Sequence, residues 1–138
     1  MTRVVIDTNV LVSAVIGHGK PRRLLSLVLK LHTAVASKEM LAELADVLAR
    51  EKFSLTPAQI TRFLTIYTRR SEVVDLDRRV NAVYADPDDD IVLGTAVNGR
   101  AALIVTGDRH LLDMREFEGV RITTVVAALK ILSAERAE

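Results

Sequence analysis

The sequence of 138 residues contains no cysteine and no tryptophan, and aromatic residues make up only 4% of it. The absence of cysteine excludes disulfides, thiolate zinc sites and cysteine nucleophiles together. The shortage of aromatic rings disfavours a nucleic-acid surface that works by base stacking. No apolar run approaches the length of a membrane span, and the N-terminus has no signal-peptide pattern. We therefore expect a cytoplasmic protein with no membrane contact.

The sequence also lacks an excess of charge of one sign, because it has 19 lysines and arginines and 18 acids, with a formal net charge of +1. Such a balanced chain has no global positive field, so any contact with nucleic-acid phosphates must be local. Lys20, Arg22 and Arg23 are weak candidates for such a contact. Charged clusters of this kind more often form an ordinary solvated surface.

The apolar content of 49% is sufficient for the core of a single domain spanning residues 1–138. Short β-branched runs predict five strands, at residues 3–6, 33–36, 72–74, 103–106 and 120–123. Helical patterns lie between and after them, near 10–16, 21–31, 38–51, 57–70, 89–98, 109–114 and 124–135. Ser37 and Thr56, the latter followed by Pro57, are predicted N-caps. This alternation predicts an α/β fold, a three-layer α/β/α sandwich with a five-stranded, mainly parallel sheet.

Two acids directly follow predicted strands. Asp7 comes after the first strand, and Asp108 comes after the strand at 103–106. The carboxyl ends of parallel strands lie at one edge of a sheet, where α/β proteins bind their ligands, so these carboxylates are predicted to converge. Each acid is equally compatible with a purely structural role as the N-cap of the next helix.

Two further acids are selected by helix geometry. Glu43 lies at the edge of the apolar stripe of its helix, between Met40 and Val47, although a boundary glutamate with a solvated head is an equal alternative. In the acidic run 88–90, Asp89 faces the buried side of the following helix, with Val92 at i+3. The run is also explained by the preference of helix N-termini for acids.

Carboxylates that converge repel one another and destabilise the fold unless a cation neutralises them. His18, His32 and His110 show no ligand spacing and are interpreted as incidental, so we expect no histidine near the acids. Oxygen ligands alone select Mg²⁺ or Mn²⁺ over zinc. Such ions favour hydrolysis of phosphodiester bonds.

Four segments, in this order along the chain, resemble the motifs of PIN domains: Asp7-Thr8-Asn9, Glu43 within 37–44, Asp86-Pro87-Asp88-Asp89-Asp90, and Thr106-Gly107-Asp108. The likeness is greatest to the VapC-like toxins of prokaryotic toxin–antitoxin systems. It implies an endoribonuclease that uses Mg²⁺ or Mn²⁺, acts on RNA, forms a homodimer and is inhibited by a cognate antitoxin.

The resemblance also implies roles for individual residues. Asp7 is expected to be a principal metal ligand, with Glu43, Asp89 and Asp108 as the second, third and fourth acids. Supporting roles fall to Thr8 or Asn9, which orient the site, and to Thr106, which supports the loop before Asp108. The triple aspartate leaves the third acid open, with Asp90 and then Asp86 as alternatives to Asp89.

Two other functions compete with this interpretation. A PIN-like domain can bind RNA or a protein without cleaving anything, but the presence of all four acids favours catalysis. An aspartate-based phosphotransfer domain also places acids at strand ends. The sequence argues against both kinds of phosphotransfer domain. A dehalogenase-type site needs a second aspartate two residues after Asp7, where Asn9 stands, and a receiver domain needs paired acids after its first strand.

Overall fold

In the computed structural model, which describes residues 1–80 and 87–137, a sheet of six described strands is covered by helices on both faces. The strands are β1 (Arg3–Ile6), β2 (Thr33–Ser37), β3 (Ser71–Val74), β4 (Leu103–Val105), β5 (Glu116–Phe117) and β6 (Val120–Thr123). The α-helices are α1 (Thr8–Ile16), α2 (Lys20–Leu31), α3 (Lys38–Leu48), α4 (Pro57–Arg70), α5 (Pro87–Asn98), α6 (Arg109–Met114) and α7 (Val125–Ala137). The predicted α/β class and all five predicted strands are confirmed.

The predicted number of strands was wrong by one. Strand β5 has two residues and pairs antiparallel with β6 at the edge of the sheet. A two-residue segment is too short to show the alternation of polar and apolar residues that identifies a strand in a sequence.

The strand order is β3-β2-β1-β4-β6-β5. All neighbouring pairs except β5–β6 are parallel, and β1 is hydrogen-bonded to β2 on one side and to β4 on the other. The strand order reverses beside β1, because the chain first adds β2 and β3 on one side and later places β4 and β6 on the other. This reversal creates a crevice at the carboxyl ends of β1 and β4.

Alternate residues of the central strands enter two separate cores. Val4 and Ile6 of β1 belong to the core under α1, α2, α4 and α7, whereas Val5 points to the opposite face. There it joins Ile104 of β4 and the apolar side of α5 and α6. The period-two alternation of a strand therefore serves both helical layers at once, as the predicted three-layer sandwich requires.

Both predicted N-caps are confirmed. The Ser37 hydroxyl accepts a hydrogen bond from the Met40 backbone N–H at 3.3 Å. Thr56 and Gln59 form a reciprocal capping box, with Pro57 in the first turn of α4. In the described ranges, no helix combines the length and the hydrophobicity needed to cross a lipid bilayer.

Candidate metal centre

The candidate site lies where β1 and β4 end side by side. The backbone N–H of Asp7 donates to the Val105 carbonyl at 2.9 Å, which continues the β1–β4 pairing by one residue. Thr106, Gly107 and Asp108 then follow β4 directly. The two predicted strand-end acids are thus brought to one edge of the sheet, at the point where the strand order reverses.

Thr106 connects the two acids. Its buried hydroxyl donates to Asp7 Oδ2 at 2.7 Å and accepts from the Asp108 backbone N–H at 2.9 Å. The other Asp7 oxygen, Oδ1, accepts from the Thr8 N–H at 2.8 Å and caps α1. Asp7 is therefore held through both carboxylate oxygens, and the loop carrying Asp108 is tied to it.

Burial is the main reason that the pKa of Asp7 is raised above its usual value. The hydrogen bonds from Thr106 and Thr8 oppose this shift, and the negative charges of Asp108 and Asp88 add to it. The half-buried Asp7 carboxylate is repelled by two neighbouring acids, so a cation bound beside it would lower the electrostatic free energy of the site.

Asp108 caps α6 with one oxygen only. Its Oδ1 accepts from the backbone N–H groups of His110 at 2.7 Å and Leu111 at 3.4 Å. No hydrogen bond to Oδ2 is found within the described part of the chain. The N-cap role considered for both strand-end acids is therefore real, and in Asp108 it leaves one oxygen available for a ligand.

Asp89 lies in the first turn of α5 and is only 5% exposed. One carboxylate oxygen of Asp89, one of Asp108 and one ring nitrogen of His110 all lie within 4.8 Å of one another. The expectation that no histidine would lie near the acids was wrong for His110, because the capped first turn of α6 places its ring beside Asp108. The donor set is mixed oxygen and nitrogen.

The other acids occupy less central positions. Glu43 is half-buried on α3 and, like Asp7, lies outside the three-residue group around His110. Asp90 is half-buried, whereas Asp88 is exposed and acts electrostatically on Asp7. Asp86 lies outside the described residues. Sequence reasoning overlooked Asp88 as a neighbour of Asp7, although its place in the acidic run was a usable signal.

The supporting and basic candidates differ in their surroundings. Thr8 is buried at the start of α1 and Asn9 is exposed. The Arg22 guanidinium donates to the carbonyls of Ala14 at 2.9 Å and Val15 at 2.7 Å, at the end of α1. Lys20 and Arg23 are exposed on α2. Arg22 therefore stabilises the end of α1, whereas the side chains of Lys20 and Arg23 lie at the surface.

The donors fit a hard or borderline divalent ion. Ligand atoms on opposite sides of one Mg²⁺ stand about 4.2 Å apart, twice the usual Mg–O distance. The donor atoms of Asp89, Asp108 and His110 lie within 4.8 Å of one another, which is close to that separation. The neighbouring negative charge of Asp7 favours the same ion.

Carboxylates gathered at the switch point of a mainly parallel sheet define an α/β domain with a candidate divalent-metal site. A sequence model of the PIN domain matches residues 3–110, which include every predicted site acid. The chain belongs to the PIN domain family, whose members are typically nucleases.

The chain is also similar to a chain in the crystal structure of VapBC2 from Rickettsia felis bound to a DNA fragment from their promoter. The TM-score is 0.62 and the sequence identity 19%, and the match covers 88% of this chain and 98% of that chain. At this identity the similarity concerns the fold. No curated protein matches the chain in sequence.

Proposed function

We propose that the protein is a Mg²⁺- or Mn²⁺-dependent endoribonuclease and the toxin of a toxin–antitoxin pair. The observation that carries the proposal is the convergence of carboxylate oxygens of Asp89 and Asp108 within 4.8 Å, near the half-buried Asp7, whose pKa is raised in part by the charge of Asp108. Membership of the PIN domain family supports a nuclease, and the carboxylate-rich donor set supports a divalent ion as its cofactor.

Each acid has a distinct place in this mechanism. Asp7 and Asp108 are positioned by helix caps and by Thr106, so they would hold a divalent ion with little reorganisation of their side chains. Asp89 adds a buried negative charge, and Glu43 is proposed to complete the set from α3. When bound, a divalent ion lowers the pKa of water at the site and offsets the charge of the phosphate.

The partners follow from the same proposal. RNA is the proposed substrate, and we propose that the exposed side chains of Lys20 and Arg23 contact its phosphates. A cognate antitoxin is proposed because the fold resembles that of a chain in VapBC2. A homodimer is proposed from the resemblance of the sequence motifs to those of VapC-like toxins. Gel filtration of the protein alone tests the homodimer, and co-expression with a small reading frame, if one lies beside its gene, tests the antitoxin.

The activity is tested with purified protein and a mixture of structured and single-stranded RNA. We expect internal cleavage with Mn²⁺ or Mg²⁺, none with a chelator, and recovery when excess metal is added. RNA binding without cleavage at any metal concentration would instead indicate a binding module. Stable phosphate on Asp7 after incubation with a phosphodonor would indicate phosphotransfer.

Replacing Thr106 by valine tests the bridge between the two strand-end acids. Thr106→Val removes the hydroxyl and keeps the shape, so Asp7 Oδ2 and the Asp108 N–H both lose their partner. Partners that orient metal ligands typically contribute about 10- to 100-fold to metal affinity or activity. We expect a loss of cleavage in this range, with a parallel loss of Mn²⁺ affinity in calorimetry.

Thr123→Val is the matched control. Thr123 is buried at the end of the neighbouring strand β6, and its hydroxyl has no hydrogen-bond partner among the described residues. Removing an unsatisfied buried hydroxyl leaves stability unchanged or increases it. Full activity with an equal or higher melting temperature is expected. Equal activity losses in both variants would contradict a specific role of Thr106.

A further inference from the structure

We propose that His110 is a ligand of the bound ion and makes this site prefer Mn²⁺ to Mg²⁺. This inference rests on the proposed metal-dependent function and concerns a side chain outside the four acids. A ring nitrogen of His110 lies within 4.8 Å of the carboxylate oxygens of both Asp89 and Asp108. The ring is exposed, so water, RNA and metal can all reach it.

The backbone places the imidazole at this position. The His110 N–H donates to Asp108 Oδ1 at 2.7 Å, which closes a turn between residues two apart in sequence. The same contact holds Oδ1 of Asp108, and Oδ2 has no hydrogen bond within the described residues. His110 is the second residue of α6, and Asp108 is the N-cap of that helix. The His110 side chain therefore lies beside the Asp108 carboxylate.

Asp89 approaches from a different element. It belongs to α5, which packs against β1 and β4, and the residue is only 5% exposed. The carboxylate is therefore held by the core, whereas the His110 ring can rotate at the surface. An ion bound by Asp89 and Asp108 would be within reach of the ring after a side-chain rotation.

The third donor, the imidazole nitrogen of His110, determines whether the site prefers Mg²⁺ or Mn²⁺. Mg²⁺ prefers oxygen ligands and keeps its waters, whereas an imidazole nitrogen is accepted more readily by Mn²⁺ and the later divalent ions. An all-oxygen site would discriminate little between Mg²⁺ and Mn²⁺. A site with one imidazole gains affinity for Mn²⁺ selectively.

Electron spin echo spectroscopy of the Mn²⁺-loaded protein tests the ligand directly. We expect a nitrogen coupling on Mn²⁺ in the wild-type protein that disappears in His110→Asn. His18→Asn replaces another exposed histidine and should leave the coupling intact. Calorimetry should show that His110→Asn lowers Mn²⁺ affinity about 10-fold and leaves Mg²⁺ affinity nearly unchanged.

The outcomes separate this inference from the proposed function. If Mn²⁺ binds, Asp89→Asn abolishes binding and no nitrogen coupling is seen, His110 is not a ligand and the nuclease proposal stands. Equal losses of Mg²⁺ and Mn²⁺ affinity in His110→Asn would also overturn the preference. Failure of the wild-type protein to bind either metal would remove both proposals.

Discussion

If Asp7 is the metal ligand proposed above, Asp7→Asn is expected to reduce RNA cleavage by at least about 100-fold, because removing a metal ligand costs more activity than removing one of its hydrogen-bond partners. The amide keeps an oxygen that can accept from the Thr8 N–H, so α1 keeps its cap. The change removes a negative charge from the site while preserving the shape of the side chain. Single-turnover cleavage of a fluorescent RNA measures the effect.

The same variant separates metal binding from folding. Folding raises the pKa of Asp7, so the folded state favours the protonated carboxyl group. The free energy of unfolding therefore includes a contribution from this group at low pH, which is lost as the pH rises through the raised pKa. At neutral pH the charged group therefore destabilises the metal-free protein. We expect metal-free Asp7→Asn to melt no lower than the wild type, and Mn²⁺ to raise the melting temperature of the wild type only.

Asp46→Asn is the matched control, because Asp46 is exposed on α3 and the substitution makes the same chemical change. It should keep full activity and the full stabilisation by Mn²⁺. An Asp7→Asn protein that cleaves RNA at the wild-type rate would refute the assignment of Asp7 as a metal ligand.

Gly99→Ala is expected to have the largest effect on stability. A Cβ at this position would lie 2.3 Å from Val35 Cγ1 and 3.0 Å from the Thr95 carbonyl oxygen. Val35 is 1% exposed in the central strand β2, and its branched side chain cannot rotate away without losing its packing. Overpacking of this kind costs roughly 1–3 kcal/mol or more, so the melting temperature should fall by at least about 5 °C.

Two comparisons make this prediction specific. Gly107→Ala adds the same methyl group where no atom lies within 4 Å, and its melting temperature should match the wild type. Val35→Ala removes the clashing methyl groups, so the double variant Val35→Ala/Gly99→Ala should be more stable than the sum of the single effects predicts. Simple additivity would show that the clash with Val35 is not the cause.

Local patterns in the sequence determined the elements of this protein. The β-branched runs and helical periodicities located five strands and seven helices, and Ser37 and Thr56 marked two helix starts. These signals act over a few residues, so they can be read without knowing the fold. The positions of Asp7 and Asp108 after their strands were equally readable, and a parallel sheet was enough to predict their convergence.

Tertiary structure alone decided what surrounds those acids. The bridge from Thr106 to Asp7 joins residues 99 positions apart, and it exists because β4 pairs with β1. The approach of His110 to Asp89 depends on how α5 and α6 pack at the same edge of the sheet. Arg22 is drawn to the end of α1 because unpaired carbonyls there need donors. Each of these contacts depends on the strand order and on loop conformation, which no short stretch of sequence specifies.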